Sequence, residues 1–368
     1  MRLIIAAIVM AQIRRPVDWF KIFTKVLSKR KTVQGLQKIS RFIKSDSRYF
    51  FSDIIPGWPS LAFKGFFRAE ASRILSHPGV RVPLTTVFIS ITSRCPMMCR
   101  HCYEWENLTK EEALSLDDLK IIIKKIKDYG VYHIHLSGGE PLERIDDLLS
   151  LISFSSGDAD VWIDTSGFGL TPEKAFLMKK AGLTGAEISL DHYDENEHNR
   201  FRSNEESFRW VYEAAKNCIN AGILTSLSLC ATNTFVTREN LVKYTNLAMC
   251  WGICFIRFLE PKETARFKGE LAQLSDNQIA ILEEFYLGAG SPSKPVEYPI
   301  ISYPGFHQRR IGCLGAGNRY IHIDPKGNIH ACPFCRGLAG NAITDSIEDA
   351  ILVLRNRGCQ LYRTNSSD

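Results

Sequence analysis

Short apolar runs and amphipathic stretches alternate regularly along the chain from residue 85 onward. The apolar runs are rich in β-branched residues and predict six strands, at residues 86–92, 131–136, 161–164, 186–190, 224–230 and 254–258. Stretches of helical period follow them and predict helices at about 116–128, 145–154, 172–181, 206–221, 238–249 and 276–287. Such strict alternation predicts a parallel sheet with right-handed crossovers.

Six strand–helix repeats are fewer than the eight of a closed barrel, so the pattern predicts an α/β fold of the partial (β/α)6 barrel type. Polar or glycine-rich segments follow several strands, namely Cys95–Cys102, Gly138–Glu140, Thr165–Gly167, Asp191 and Glu260. Parallel α/β folds bind their ligands at the carboxyl ends of the strands. We therefore expect these segments to surround one binding site.

The amino-terminal part of the chain follows a different pattern. Residues 3–11 are apolar, but nine residues are too few to span a bilayer, which takes about twenty in a helix. Between Arg14 and Phe51, Lys and Arg are interleaved with apolar residues at helical spacing, which predicts cationic amphipathic helices. Residues 52–83 are predicted to be a connector with a short helix at about 61–75. The cationic helices would either lie on an anionic membrane surface or pack on the rest of the protein.

Charge separates this segment from the remainder of the chain. Residues 1–50 contain twelve Lys and Arg against two Asp and Glu, a net charge of +10, whereas the whole 368-residue chain carries +6 and the remainder therefore −4. Because the basic character belongs to the amino-terminal segment, we expect no nucleic-acid partner for the whole protein. With 45% hydrophobic and 23% charged residues, the chain has the composition of a globular protein with one large or two smaller domains.

Seven of the eleven cysteines fall into two groups, which favours metal ligation over disulfide bonds and indicates a reducing cytoplasm. Cys95, Cys99 and Cys102 share one loop, the three-cysteine loop, because each residue extends the chain by only about 3.5 Å. Three thiolates on a four-iron, four-sulfur cluster leave one iron open for a small molecule, whereas structural metal sites are usually closed by a fourth protein ligand. A zinc knuckle is the alternative, although zinc motifs mostly use two Cys-x2-Cys pairs or Cys/His pairs.

Placed after a predicted strand, the three-cysteine loop resembles the signature of the radical S-adenosylmethionine (radical SAM) family. Gly138-Gly139-Glu140 after the second strand resembles the motif that holds the methionine amine of SAM in that family. The resemblance implies a 4Fe-4S cluster that binds SAM at its open iron and cleaves it to a 5′-deoxyadenosyl radical, which takes a hydrogen atom from the substrate. It also implies a reducing partner such as a flavodoxin or a ferredoxin.

Two further segments resemble the peptide-modifying branch of the radical SAM family. Ser189-Leu190-Asp191 ends the fourth strand, and His198 to Arg202 follow in the next loop, with Asn199 where the branch commonly has Asp. In that branch the serine and the final arginine contact the SAM carboxylate, and guanidinium geometry suits such charge-assisted hydrogen bonds. Asp191 would bind either the SAM ribose or the substrate. The alternative for Arg202 is a surface salt bridge.

A second cysteine group lies near the carboxyl terminus. Cys313, Cys332 and Cys335 flank residues 320–330, whose pattern predicts a β-hairpin that would bring the cysteines together. This arrangement resembles the opening of the SPASM domain, an accessory iron–sulfur module of radical SAM enzymes, although the later cysteine run of that domain is absent and only Cys359 remains. The resemblance implies a shortened, twitch-type module with one auxiliary iron–sulfur cluster on these four cysteines. The alternatives are a zinc ribbon for the module and a free thiol for Cys359.

Other histidines and cysteines on the predicted elements have simpler interpretations. His133 and His135 alternate on the second strand and are expected to be structural. Buried cysteine behaves as a small hydrophobic residue. The remaining cysteines, which we expect in the core, are Cys218, Cys230, Cys250 and Cys254.

Three regions follow from these patterns: a basic helical extension at 1–84, a radical SAM partial barrel at 85–290 and a SPASM/twitch-like module at 291–368. The function implied by the resemblance is hydrogen-atom abstraction in the modification of a peptide or protein. A small-molecule or lipid-linked substrate is one alternative, and a non-catalytic metal-binding scaffold is another. The expected location is the cytoplasm, with the protein on the inner face of the membrane if its basic segment binds lipid.

Overall fold

The structure is a computed structural model that describes residues 41–75, 82–109, 111–270, 272–359 and 361–362. Its strands are β1 (Ile43–Ser45), β2 (Arg48–Phe50), β3 (Thr86–Ser90), β4 (His133–Ser137), β5 (Asp160–Thr165), β6 (Gly185–Ser189), β7 (Leu224–Cys230), β8 (Phe255–Leu259), β9 (Ile300–Ser302), β10 (Tyr320–Ile323) and β11 (Ile329–His330). Its α-helices are α1 (Leu61–Leu75), α2 (Leu116–Asp128), α3 (Ile145–Ser155), α4 (Pro172–Ala181), α5 (Glu195–Arg202), α6 (Ser207–Asn220), α7 (Arg238–Cys250), α8 (Asp276–Ala289), α9 (Pro304–Ile311) and α10 (Ile347–Arg357). None of the helices in these ranges is long and apolar enough to cross a membrane.

Nine strands form one central sheet in the order β11-β10-β3-β4-β5-β6-β7-β8-β9. From β10 to β9 every neighbouring pair is parallel, and β11 runs antiparallel to β10. The six predicted strands correspond to β3 through β8, which lie side by side in chain order. The prediction of an α/β fold with a parallel barrel-type sheet is therefore confirmed.

The outer face of this sheet is apolar and carries the helices, because successive strand residues point to opposite faces. Fully buried residues on this face, from four adjacent strands, are Ile134, Ile163, Ile188 and Leu227. At the start of α2, the Ser115 hydroxyl accepts a hydrogen bond from the Asp118 N–H, and the Asp118 carboxylate accepts one from the Ser115 N–H. This reciprocal cap fixes the start of the helix at the predicted residue.

Two strands beyond the predicted six pair directly with the outermost of those six, one on each side. β9 pairs with β8 on one side, and β10 pairs with β3 on the other. β10 and β11 form the predicted hairpin, whose turn contains Gly327 at a φ of 82°. Although both added strands come from residues 291–368, they share one sheet with the barrel strands. The pattern did not predict β9, because its three residues are too few to show alternation.

Residues 41–51 form a β-hairpin instead of the end of a predicted amphipathic helix. β1 and β2 pair as antiparallel strands around a turn at Asp46, which has a φ of 51°. Aspartate tolerates this left-handed conformation, which a right-handed helix cannot contain. The helical prediction is therefore wrong for this range, and its part from Arg14 to residue 40 lies outside the described residues. The short helix predicted at about 61–75 is α1.

The hairpin closes the amino-terminal end of the barrel with an apolar contact. Phe50 is 1% exposed and packs against Trp162, Leu224 and Phe255. Leu224 and Phe255 are the first residues of β7 and β8, so this small core lies at the end of the barrel opposite the predicted binding site. Burying a phenylalanine side chain contributes about 1.5–3 kcal/mol to stability.

Polar contacts fasten the same segment to the barrel. Asp160, the first residue of β5, pairs with Arg48 and accepts a hydrogen bond from the Gly57 N–H at 2.8 Å. Asp53 enters the interior and pairs with Arg257 of β8, with 2.9 Å between Oδ2 and Nε. Residues 41–57 therefore form part of the barrel, whereas the sequence pattern assigned them to a separate extension.

The four cysteines expected in the core do not all lie there. Cys218 and Cys230 are buried and Cys254 is half-buried. Cys250, the last residue of α7, is exposed, so the prediction is wrong for this cysteine. The sequence pattern ended the predicted helix at residue 249, one residue short of Cys250, and did not show which way its side chain faces.

Candidate active site

The three-cysteine loop follows β3 at the carboxyl end of the sheet. Cys99 is buried, Cys95 and Cys102 are half-buried, and none of the three forms a disulfide bond. Burial raises the pKa of Cys95 to about 12 and that of Cys102 to about 11, and the neighbouring thiols add to both shifts. The thiols of Cys95 and Cys102 resist ionisation on their own, which suits a cationic metal centre that supplies the positive charge needed to stabilise thiolates. The donor set therefore fits an iron–sulfur cluster.

Gly138 and Gly139 hold the end of β4 against the three-cysteine loop. The Gly139 N–H donates to the Thr92 oxygen, and the Glu140 N–H donates to the Arg94 oxygen, both at 2.8 Å. A Cβ on Gly138 would lie 2.5 Å from the Thr92 oxygen, and one on Gly139 would lie 2.2 Å from the Arg94 oxygen. Only glycine permits this approach, so the glycine pair sets the position of the cysteine loop.

The Glu140 side chain joins the ends of two strands. It is fully buried, and its Oε1 accepts a hydrogen bond from the Thr165 hydroxyl at 2.6 Å. Its Oε2 accepts from the N–H and the hydroxyl of Ser166 at 2.8 and 2.6 Å. Burial raises the pKa of Glu140, while these hydrogen bonds oppose the rise. The two predicted motifs thus meet, but both carboxylate oxygens are already engaged within the protein.

Asp191 and Arg202 form a buried ion pair beside the three-cysteine loop. Asp191 Oδ2 lies 2.6 Å from Arg202 Nε, and the side chains are 3% and 8% exposed. Burial disfavours both charges, yet the pairing lowers the pKa of Asp191 and raises that of Arg202. Arg202 also donates from Nη1 to the Cys99 sulfur at 3.5 Å. Arg202 is therefore not a surface salt bridge; it places a guanidinium against one of the predicted cluster ligands.

Arg202 ends a helix where the sequence pattern predicts a loop. The Asp194 side chain caps α5 by accepting a hydrogen bond from the Glu197 N–H, and the helix ends at Ser203 in a left-handed conformation. His198 on α5 is fully buried and accepts a hydrogen bond from the Asp191 N–H at 3.1 Å. The helix is short and strongly polar, so its apolar periodicity is too weak to predict it. Ser189, at the end of β6, is half-buried at the same end of the sheet.

A segment after β8 covers the three-cysteine loop, and no sequence pattern indicated it. Arg266 donates to the backbone oxygens of Met98 and Cys99 at 2.7 and 3.3 Å. Its guanidinium also lies over the Trp105 ring, 4.1 Å from the centroid. These contacts restrain the loop backbone at Met98 and Cys99, next to the second cysteine, which keeps the thiols in one arrangement.

Glu104 connects the three-cysteine loop to the carboxyl-terminal segment. It is 1% exposed, and its Oε1 lies 3.1 Å from the Ser90 hydroxyl and from His322 Nε2. Its Oε2 accepts from Arg336 at 3.1 Å and from Asn107 at 2.9 Å. Burial alone would raise the pKa of Glu104, but His322 and Arg336 lower it to about 2. The sequence analysis did not identify Glu104 as a site residue. The feature of the sequence that could have indicated it is an acidic residue two positions after Cys102.

The four cysteines of the second group lie together. The Cys335 N–H donates to the Cys332 sulfur at 3.3 Å, and the two residues form an isolated β-bridge. Burial raises the pKa of Cys313 to about 12, and the neighbouring Cys359 thiol contributes to the rise. Cys335 also interacts with Cys359, so the four thiols form one connected group. The predicted hairpin therefore brings the expected ligands together, and Cys359 lies with the other three.

Comparison with known families identifies the barrel region. The model of the radical SAM superfamily matches residues 89–244. This range begins in β3 and ends in α7, so it contains the three-cysteine loop, the glycine pair and the Asp191–Arg202 pair. The residues that surround the candidate site thus lie in the matched range, apart from the covering segment after β8.

Two kinds of curated relative are similar to this chain. A GTP 3′,8-cyclase from Campylobacter curvus is 30% identical over 198 residues, which is 52% of this chain and 60% of the cyclase. The mycofactocin maturase MftC of Mycolicibacterium smegmatis is 25% identical over 284 residues, which is 73% of this chain and 69% of the maturase. The chain thus spans less than two thirds of the cyclase's length and slightly more than two thirds of the maturase's.

Solved structures share the fold at low sequence identity. Streptococcus suis SuiB bound to its precursor peptide SuiA superposes with a TM-score of 0.61 and 16% identity, over 90% of this chain and 77% of SuiB. The anSMEcpe structure with bound AdoMet superposes with a TM-score of 0.57 and 15% identity, over 76% of this chain and 84% of the other. At these identities the similarity shows that the fold is shared.

Proposed function

Residues 89–244 form a radical SAM domain, and on this premise we propose that the protein is a radical SAM enzyme that modifies a peptide substrate. The observation that carries the proposal is the three-cysteine loop, whose thiols lie against the glycine pair and Arg202 at the carboxyl ends of the strands. A non-catalytic scaffold needs no such loop held open by close backbone contacts. The arrangement therefore favours an enzyme over the scaffold alternative.

The choice of a peptide rests on how far the similarity extends along the chain. The match to MftC covers 73% of this chain, whereas the match to the cyclase covers 52%. The structural similarity to SuiB, which was solved with its precursor peptide, covers 90% of this chain. A nucleotide or another small molecule is the second candidate, because cyclases are among the relatives.

Cys95, Cys99 and Cys102 would hold the 4Fe-4S cluster that the family implies. When bound, the cluster and SAM supply reductive SAM cleavage and hydrogen-atom abstraction. Around them, Arg202 places its positive charge against the Cys99 sulfur, while Asp191 keeps that guanidinium oriented. The covering segment after β8 restrains the loop backbone and excludes water from one side of it.

We propose that SAM contacts the backbone and side chains around these thiols. Gly138 and Gly139 expose backbone without a Cβ, which leaves room for the amino acid part of SAM. The Glu140 carboxylate accepts hydrogen bonds from Thr165 and Ser166. It would therefore hold the strand ends around SAM in place, in addition to contributing its negative charge. We also expect SAM to contact Ser189, Asp191 and Arg202. These residues lie at the carboxyl ends of strands or in α5.

A second, auxiliary iron–sulfur cluster on Cys313, Cys332, Cys335 and Cys359 is part of the proposal. Four connected thiols can close a cluster completely, so this site would store or pass electrons, while the three-cysteine loop keeps an open iron; the second cluster would bind substrate only if Cys359 were not a ligand. A zinc ribbon is the alternative for these ligands. The electron donor would be a flavodoxin or a ferredoxin that docks from outside the chain.

The test of the proposed function is anaerobic SAM cleavage by the reconstituted protein with dithionite. We expect 5′-deoxyadenosine to form, and its yield to rise when a deuterated peptide encoded next to the gene is added. Deuterium from that peptide should appear in the 5′-deoxyadenosine. Cluster-loaded protein that leaves SAM intact would refute an enzymatic role, and deuterium transfer from labelled GTP in place of peptide would establish the nucleotide candidate.

Peripheral membrane binding is proposed for the basic amino-terminal segment. Residues 1–50 carry a net charge of +10, and each Lys or Arg near an anionic leaflet contributes roughly 1 kcal/mol. We expect the full chain to cosediment with phosphatidylserine vesicles at 0.05 M salt and to dissociate at 1 M, where the Debye length is about 3 Å. A chain that starts at Arg41 keeps the β1–β2 hairpin and should stay folded without binding. Equal cosedimentation of the two chains would assign any binding to the barrel.

A further inference from the structure

Charged side chains occupy the inner face of the barrel. Asp164 of β5, Glu187 of β6 and Ser226 of β7 are paired in register across three adjacent strands. They alternate with the apolar residues of the outer face, so all three point into the barrel. His135 of β4 joins them, with 2.7 Å between its Nδ1 and Asp164 Oδ1. The ligand atoms of His135, Asp164 and Glu187 all lie within 4.8 Å of one another.

Negative charge exceeds positive charge in this cluster. Arg257 pairs with Glu187 at 2.6 Å and with Asp53 at 2.9 Å, so one guanidinium faces two carboxylates. Asp164 is a third carboxylate, and among the described residues it pairs with the His135 imidazole. Burial and the neighbouring carboxylates raise the pKa of Glu187 to about 8, which is the expected response to unbalanced negative charge.

Several polar atoms of the cluster have no hydrogen-bond partner within the described part of the chain. The Ser226 hydroxyl is fully buried and unpaired beside Glu187. Arg257 Nη2 and His135 Nε2 are also buried without partners. An unsatisfied buried polar atom loses its hydrogen bonds to water without replacement, so buried polar groups are nearly always paired. A ligand with hydrogen-bonding capacity would satisfy part of this set.

Asp164 is the member of the cluster that a ligand can reach. Its side chain is 25% exposed, whereas those of Glu187 and Arg257 are 5% exposed. Asp164 directly precedes Thr165 and Ser166, which bind Glu140 beside the three-cysteine loop. A group bound to Asp164 would therefore lie directly beneath the cysteine loop.

We propose that Asp164, with His135 beside it and Ser226 on the same inner face two strands away, binds an ammonium or guanidinium group on a flexible side chain of the substrate, an inference that rests on the proposed function. A single organic cation needs one free carboxylate and neutral acceptors, which this cluster provides. A divalent metal ion would need Glu187 as a ligand, but the Arg257 guanidinium already lies 2.6 Å from that carboxylate and would repel the ion.

The test compares two probes that differ by one terminal ammonium group, on the cluster-loaded protein with SAM bound. N-acetyl-lysine methylamide carries the ammonium group, and N-acetyl-norleucine methylamide lacks it. By isothermal titration calorimetry we expect the lysine probe to bind about tenfold more tightly, since a desolvated charge pair favours the cation. Asp164→Asn should remove that preference. Asp117→Asn, an exposed change on α2 outside the barrel, should retain it.

Each outcome decides the proposal. Equal binding of both probes to the unchanged protein would overturn it, and this comparison needs no variant that folds. One equivalent of Mn²⁺ bound by the unchanged protein but not by Asp164→Asn would also overturn it in favour of a metal site. Probe binding requires no turnover, so a preference for the lysine probe supports the cation site even if 5′-deoxyadenosine fails to form.

Discussion

Replacing Cys95, Cys99 and Cys102 together with alanine is expected to abolish 5′-deoxyadenosine formation while leaving about half of the iron. The three thiols come from one loop, and the four thiols of the second group come from residues 313–359, so each proposed cluster has its own ligands. Loss of the open iron removes the site at which SAM would bind. The measurements are iron per chain, the electron paramagnetic resonance spectrum after reduction, and 5′-deoxyadenosine by chromatography.

Cys250→Ala is the matched control, because Cys250 is exposed on α7 and belongs to neither group. It should match the unchanged protein in iron and in product. Normal 5′-deoxyadenosine from the triple variant would refute the radical SAM assignment of this loop. Complete loss of iron from the triple variant would instead refute the independent second cluster.

Asp53→Asn is expected to lower the free energy of unfolding by about 3 kcal/mol, because it removes one partner of a buried ion pair. Asp53 is 1% exposed and contacts Arg257 at 2.9 Å and the Ser302 hydroxyl at 3.1 Å. The substitution leaves the Arg257 guanidinium with Glu187 alone. Urea unfolding of the reconstituted protein, followed anaerobically by circular dichroism, measures the change.

Asp46→Asn provides the comparison within the same hairpin. Its carboxylate pairs with Lys179 at the surface and is 60% exposed, so its loss should cost less than about 1 kcal/mol. Asparagine also tolerates the left-handed conformation of this turn residue. If both variants unfold at the same urea concentration, the buried charge of Asp53 does not stabilise the barrel.

Much of the barrel could be predicted because its signals are local. The predicted bounds of α2, α4 and β7 coincide with the observed ones. For α4 the reason lies in neighbouring residues: Thr171 caps the helix, Pro172 occupies its first position, and Gly182 ends it in a left-handed conformation. Such signals need no knowledge of distant partners.

The features that were missed depend on partners far along the chain. Cationic and aromatic residues at 41–51 suit either a helix or a hairpin, and the contact between Asp53 and Arg257 spans 204 residues. The contact between Glu104 and Arg336 spans 232 residues. Periodicity shows which face of an element is apolar, but it does not show which distant residue meets that face.

The sequence indicated which residues surround the candidate site better than it indicated which contacts those residues form. The glycines, the thiols and Arg202 lie together at the carboxyl ends of the strands, because motifs of this kind encode local geometry. Glu140 illustrates the limit. An acid beside two glycines suggests a free carboxylate for an ammonium group, yet Thr165 and Ser166 donate to both of its oxygens. A sequence does not reveal whether both oxygens of a carboxylate already accept hydrogen bonds within the protein.

The pairing of β10 with β3 has a consequence for the order of events during synthesis. Thr86 leaves the ribosome roughly 230 residues before its partner Tyr320, which is roughly 10–50 s at ordinary elongation rates. Throughout that interval the β3 edge and the adjoining cysteine loop lack the cover that β10, His322 and Arg336 later provide. The iron–sulfur cluster proposed on Cys95, Cys99 and Cys102 would therefore have its widest access to these thiols on the nascent chain, before the carboxyl-terminal segment docks. A cell that delays cluster supply past this interval should accumulate closed, iron-poor protein.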